Sequence, residues 1–86
     1  MDEQSRRRAE RTQLAVAIGK RLRKVRGDRS FRVFANQLGL DERIIGALAN
    51  YENGVTTPGV PFLTRLAKRE GVSLDWLLLN RRPPSS

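Results

Sequence analysis

The sequence predicts an all-α domain of five helices, and three observations carry that expectation. Apolar residues recur at helical spacing in successive stretches. Helix-capping and helix-stopping residues, among them Ser30, Gly39, Gly71 and Ser73, fall between those stretches. No run alternates apolar and polar residues as a half-buried strand would.

Residues 1–12 are polar and Arg-rich, with Arg6, Arg7, Arg8 and Arg11. Nothing in them breaks a helix and nothing in them suits a core, so they read as a basic flexible arm able to extend the first helix. Leu14, Ile18, Leu22 and Val25 then fall at i, i+4, i+8 and i+11, one face of an amphipathic helix over about 13–26. Gly27-Asp28 ends it. Ser30 is a good N-cap for helix 2, whose apolar side is Phe31, Phe34, Ala35 and Leu38. Asp41 suits the cap of helix 3, expected over about 42–52, with Ile44 or Ile45, Leu48 and Tyr51 at helical spacing. Gly46 inside that helix costs about 1 kcal/mol relative to Ala, a cost easiest to explain where something must approach closely. Asn53-Gly54 stops helix 3. Pro61 fits the first turn of helix 4, where its missing N–H does no harm. Phe62, Leu63, Leu66 and Ala67 give that helix its inner side, and Gly71 ends it. Ser73 caps a short last helix, Leu74 to Leu79. The domain proper is residues 13–80, and 81–86, with Pro83-Pro84, reads as a disordered tail.

Composition narrows function. The chain has 86 residues and a formal net charge of +8. Residues 1–32 hold 11 Lys/Arg against 4 Asp/Glu, whereas residues 33–86 hold 6 against 5. A basic N-terminal third on a near-neutral body suits a polyanion, either nucleic acid or an anionic membrane. There is no Cys and no His, which excludes disulfides, the usual zinc sites and nucleophiles activated by His or Cys. No glycine-rich phosphate loop appears. The longest apolar run, Trp76 to Leu79, is far too short to span a bilayer, and Leu14 to Gly19 is too short for a signal peptide. The expectation is a cytoplasmic protein that is not an enzyme and needs no metal or cofactor.

The middle of the chain carries the functional signal. Ala35 is small enough for two helices to cross closely, and Gly39 tolerates the positive φ of a sharp turn. That pattern suits a helix-turn-helix, whose second helix enters the DNA major groove. A plain helical hairpin fits the spacing as well.

Arg26, Phe34-Ala35, Leu38-Gly39, Tyr51-Glu52-Asn53-Gly54, Pro58, Leu63, Leu66-Ala67 and the run from Gly71 to Leu78 together resemble the lambdoid phage repressor/Cro family, the Xre-type helix-turn-helix regulators. The similarity covers roughly residues 14–79. It implies a compact repressor-like DNA-binding domain that binds a pseudo-palindromic double-stranded operator as a homodimer. It also implies an ion pair between Arg26, closing helix 1, and Glu52, closing helix 3.

Three departures bear on the reading head. Family members often carry Gln where this chain has Phe31, so phosphate binding there falls to the helix amides beyond Ser30 and to Arg32, with Phe31 read either as a DNA contact or as a core or partner-facing residue. About three extra residues lie between Gly39 and Tyr51, lengthening either the turn or helix 3. Ile45, Gly46 and Ala47 occupy the positions that read bases in relatives, yet none carries a hydrogen-bonding side chain. Only Arg43 and Asn50 match the usual direct readout of guanine and adenine, with Glu42 able to accept from cytosine or to repel phosphate. Arg43 touching phosphate alone is the plainer alternative. Thr56, in the loop that follows helix 3, is a further candidate DNA contact. The arm residues Arg6, Arg7 and Arg8 suit phosphates or a narrow minor groove. A solvated arm is the alternative.

The last helix has more apolar residues than one face of a short helix can bury. Leu78, Leu79 and Phe62 are therefore expected at a dimer interface. A rival reading makes the chain a protein-interaction module (antitoxin, antirepressor or adaptor), using an apolar face around Phe31, Ile45, Gly46 and Ala47. Membrane binding through helix 1 is disfavoured because its apolar face is needed for the core.

Overall fold

Helix α1, Glu3–Arg26, is longer than its apolar pattern, because the arm contains no helix breaker and the helix runs back through it. A computed structural model describes the backbone of residues 3–81 and the side chains of residues 12–81. The side chains of Arg6, Arg7, Arg8 and Arg11 and the tail beyond residue 81 lie outside the described residues.

The buried face of α1 is Ala15, Ile18, Gly19 and Leu22, at i, i+3, i+4 and i+7. Leu14, expected on that face, is instead 46% exposed. The rotation follows from how α1 meets the end of α3, Ile44–Glu52. A Cβ on Gly19 would lie 2.4 Å from the Tyr51 carbonyl oxygen and 2.6 Å from that of Glu52. Only a residue without a side chain lets the two backbones approach this closely.

Helix α2, Phe31–Gln37, starts where expected, with Ser30 Oγ accepting a hydrogen bond from the Val33 amide at 3.1 Å. It ends in a Schellman motif. The Leu40 amide donates to the Ala35 carbonyl and the Gly39 amide to Asn36, with Gly39 at φ 73°.

The expected start of α3 near residue 42 is corrected to Ile44. Asp41 does not cap the helix proper. Its Oδ1 accepts from the Arg43 amide at 2.9 Å, while the Ile44 and Ile45 amides donate to the Asp41 and Glu42 carbonyls. Those tight i→i+3 closures use the extra residues in the connection, 38–43, rather than in the helix.

Helix α4, Val60–Glu70, carries Pro61 in its first turn and stops at Gly71. Helix α5, Leu74–Leu79, is capped by Ser73, whose Oγ accepts from the Trp76 amide at 3.1 Å. Among the described residues there are five helices and no strand. No helix among them is long and apolar enough to cross a membrane.

The core gathers Leu22 from α1, Phe34 and Ala35 from α2, Leu48 from α3, Leu63 and Leu66 from α4 and Leu77 from α5. Phe62, expected at a dimer face, belongs to this core. It is 7% exposed, and its ring centroid lies 5.3 Å from that of Tyr51. Position 62 follows the same α4 stripe as Leu66, so its burial comes with the helix. Leu78 packs partly against the core, and Leu79 stays 58% exposed.

Two arginines fasten the helices. Arg26 donates from Nε and Nη2 to Glu52 at 2.6 and 2.9 Å and stacks 4.4 Å from the Phe31 ring centroid. Hydrogen bonding to Glu52 holds the Arg26 guanidinium above its ordinary pKa, against the opposing effect of burial. Arg29 donates to Val25 O, Arg26 O, Gln37 and Glu70, with its guanidinium over the Phe34 ring. It thereby joins the ends of α1, α2 and α4.

Candidate nucleic-acid interface

One side of α3 is committed to the core. Leu48 is fully buried, and Ile44, Ile45 and Tyr51 pack against the cluster around it. The opposite side faces solvent. Arg43, Gly46, Asn50 and Asn53 are exposed there, at i, i+3, i+7 and i+10, a single helical stripe. Nothing lies within 4 Å of where a Cβ on Gly46 would sit, so the middle of the stripe is an open stretch of backbone. Ala47 flanks it, half-buried.

The stripe has reach at its two ends. Arg43 projects from the head of α3, with 93% of its side chain exposed. Asn50 lies two turns on, and its side chain makes no hydrogen bond among the described residues. The Asn50 carbonyl is used, accepting from the Val55 amide at 2.9 Å and the Thr56 amide at 3.5 Å. That pair of bonds folds the exposed Thr56 back beside the end of the stripe.

The α2 side of the site is polar. Arg32, on the first turn of α2, reaches across to Glu42 at 2.6 Å, both side chains about two-thirds exposed (67% and 71%). Arg43 Nη2 lies 3.3 Å from Asp41 Oδ2. Each cation beside the stripe therefore has a carboxylate next to it, and the four charges cancel locally. Exposed pairs of this kind are worth about 1 kcal/mol or less, so an incoming polyanion can draw the arginines away.

Neither a protein-family model, nor a curated protein, nor a solved structure matches this chain.

The expected site residues divide into two groups. Ser30, Arg32, Glu42, Arg43, Gly46, Asn50 and Thr56 are exposed around α3 and the start of α2. Phe31 and Ile45 are turned toward the core, and Phe31 lies beneath Arg26. Both are only partly exposed, so each offers an edge rather than a whole side chain to a DNA partner. Of the apolar face expected to dock a protein partner, Gly46 is exposed while Phe31, Ile45 and Ala47 are partly buried. Asp41 is the partner of Arg43. Its spacing two residues before Arg43, which suits an Asx turn, was the available signal.

Proposed function

We propose that the chain is a sequence-specific DNA-binding transcriptional regulator, a repressor, that inserts α3 into the major groove. The observation that carries this reading is the exposed Arg43–Gly46–Asn50 stripe on a helix whose other side is locked into the core. An α-helix with its side chains is about 10–12 Å across, which fits a major groove about 12 Å wide, and the nine residues of α3 run about 14 Å. The stripe offers one guanine-reading type and one adenine-reading type, with a gap at Gly46 through which backbone can approach a base edge. The net charge of +8 supplies sequence-independent attraction.

On this reading α2 and α3 act as a helix-turn-helix with an elongated turn, which the resemblance to the Xre/Cro family supports. Two copies reading a pseudo-palindrome double the short contact, and exposed Leu79, with the edge of Leu78, is one apolar surface available for pairing. The reading needs no cofactor and no catalysis.

The test is selection of tight binders from a random duplex library, with affinities measured at two salt concentrations. A pseudo-palindrome should emerge. Arg43→Ala and Asn50→Ala should each weaken it by about 1–3 kcal/mol and relax one base position. Salt-sensitive binding with no enriched sequence overturns the reading. The charge cancellation around Arg32 and Arg43 then favours a protein-interaction module on the same fold.

A further inference from the structure

A second surface lies away from the stripe, between the end of α2 and the outer side of α4. It is an open groove of about 640 Å³. Its apolar lining includes Leu38, Val60 and Pro61, and its charged lining is Arg65, Lys68 and Arg69. No carboxylate lines it.

The charge is uncompensated for a structural reason. Glu70 is the only acid on α4, and Arg29 draws it away with an ion pair at 2.5 Å. Arg65 Nη1 donates to the Leu38 and Gly39 carbonyls at 3.3 and 3.2 Å, which anchors the guanidinium at the groove without neutralising it. Lys68 and Arg69 are exposed and have no carboxylate partner among the described residues. Beside them Val60 is 73% exposed.

We propose that this groove is a docking site for an acidic segment of another protein that also carries apolar side chains. Charge selects the occupant. Three cations and no acid repel a second copy of a chain with net charge +8. Of the six described acids of this chain, Glu52 and Glu70 are committed to part-buried pairs and Asp41 and Glu42 already sit beside arginines, which leaves only Asp28 and Asp75, too far apart in the sequence to form one acidic segment. Residues 82–86 contain Arg82 and no acid, so the chain's own C-terminal end does not match the groove either. The apolar half of the lining separates a peptide from a nucleic acid, because a phosphodiester backbone leaves Val60 and Pro61 uncovered. Carboxylates on Arg65, Lys68 and Arg69 with an aliphatic or aromatic side chain on Val60 and Pro61 satisfy both halves.

The test uses the full chain and a displayed library of random 12-residue peptides. Enriched peptides should combine Asp or Glu with Leu, Ile or Phe. Lys68→Glu with Arg69→Glu should weaken a selected peptide at least tenfold, and Val60→Ser should weaken it several-fold. Lys20→Glu with Lys24→Glu, the same charge change on exposed positions of α1, should leave binding within about twofold. Arg43→Ala should not affect it, which separates this inference from the DNA-binding reading. All these positions are exposed, and unchanged helical circular dichroism checks that each variant folds. Absence of any enriched peptide overturns the proposal, as does equal loss from the α1 and α4 charge reversals. So does a selected peptide displaced by random-sequence duplex DNA whose own affinity falls with the α4 reversal, because the groove is then a phosphate-binding surface.

Discussion

Arg26 and Glu52 are joined by two N–H···O bonds, Nε to Oε2 at 2.6 Å and Nη2 to Oε1 at 2.9 Å. The pair ties the end of α1 to the end of α3, and only 15% of the Arg26 side chain and 5% of Glu52 are exposed. Removing one partner strands a mostly buried charge. Glu52→Ala should therefore cost about 3 kcal/mol, the lower end of the range for buried pairs, because Arg26 keeps some water. Arg26→Met with Glu52→Met should recover much of that loss, since it strands nothing. Urea unfolding of the wild type, Arg26→Met, Glu52→Met and the double closes the cycle. Additive losses would show that the two side chains act separately. The raised pKa of Arg26 adds stability that is complete below arginine's ordinary value and is lost only above the folded value. This contribution should thus be constant across the physiological pH range.

Gly19→Ala should destabilise by about 2 kcal/mol. The new Cβ meets backbone oxygens of Tyr51 and Glu52, which cannot swing aside as a side chain would. Overpacking of this kind costs about 1–3 kcal/mol or more, and alanine's better helix preference returns about 1 kcal/mol. A melting temperature equal to or above wild type would show that α1 and α3 separate freely.

Gly46→Ala should do the opposite to stability. Its Cβ meets nothing within 4 Å, so the substitution should stabilise by about 0.5–1 kcal/mol. If α3 lies in the major groove, the same methyl should weaken operator binding. Stabilisation together with unchanged DNA affinity would show that the open backbone at Gly46 has no part in recognition.

Glu42→Gln should strengthen DNA binding. The change frees Arg32 from its 2.6 Å partner and removes a negative charge from the head of α3. The slope of log K against log salt should steepen by up to about 0.9, one phosphate contact's worth. Weaker binding with lost base preference at one position would instead make Glu42 a reader of cytosine.

Local signals placed α2, α4 and α5, because caps and stops act within a turn of where they stand. Ser30 and Ser73 cap their helices through their own hydroxyls, and Gly39 closes α2 through its positive φ. The start of α3 was less legible. Asp41 is an equally good helix cap and Asx-turn residue, and the choice went to the turn. The candidate site was legible at Arg43 and Asn50 as residue types, while the inward facing of Ile45 and Phe31 was not.

By itself the sequence determined the helical class, the five apolar stretches, the basic balance and the absence of any Cys or His chemistry. Each of these follows from residue identity and near-neighbour spacing. Only the tertiary structure decided which residues on each helix face inward. The close crossing at Gly19 rotates α1 so that Leu14 faces water, and the packing of α3 around Leu48 turns Ile45 inward and leaves Arg43, Gly46 and Asn50 in solvent. A helix periodicity defines a face only to within a stripe or two. The partner helix, contacted from tens of residues away in sequence, selects among them.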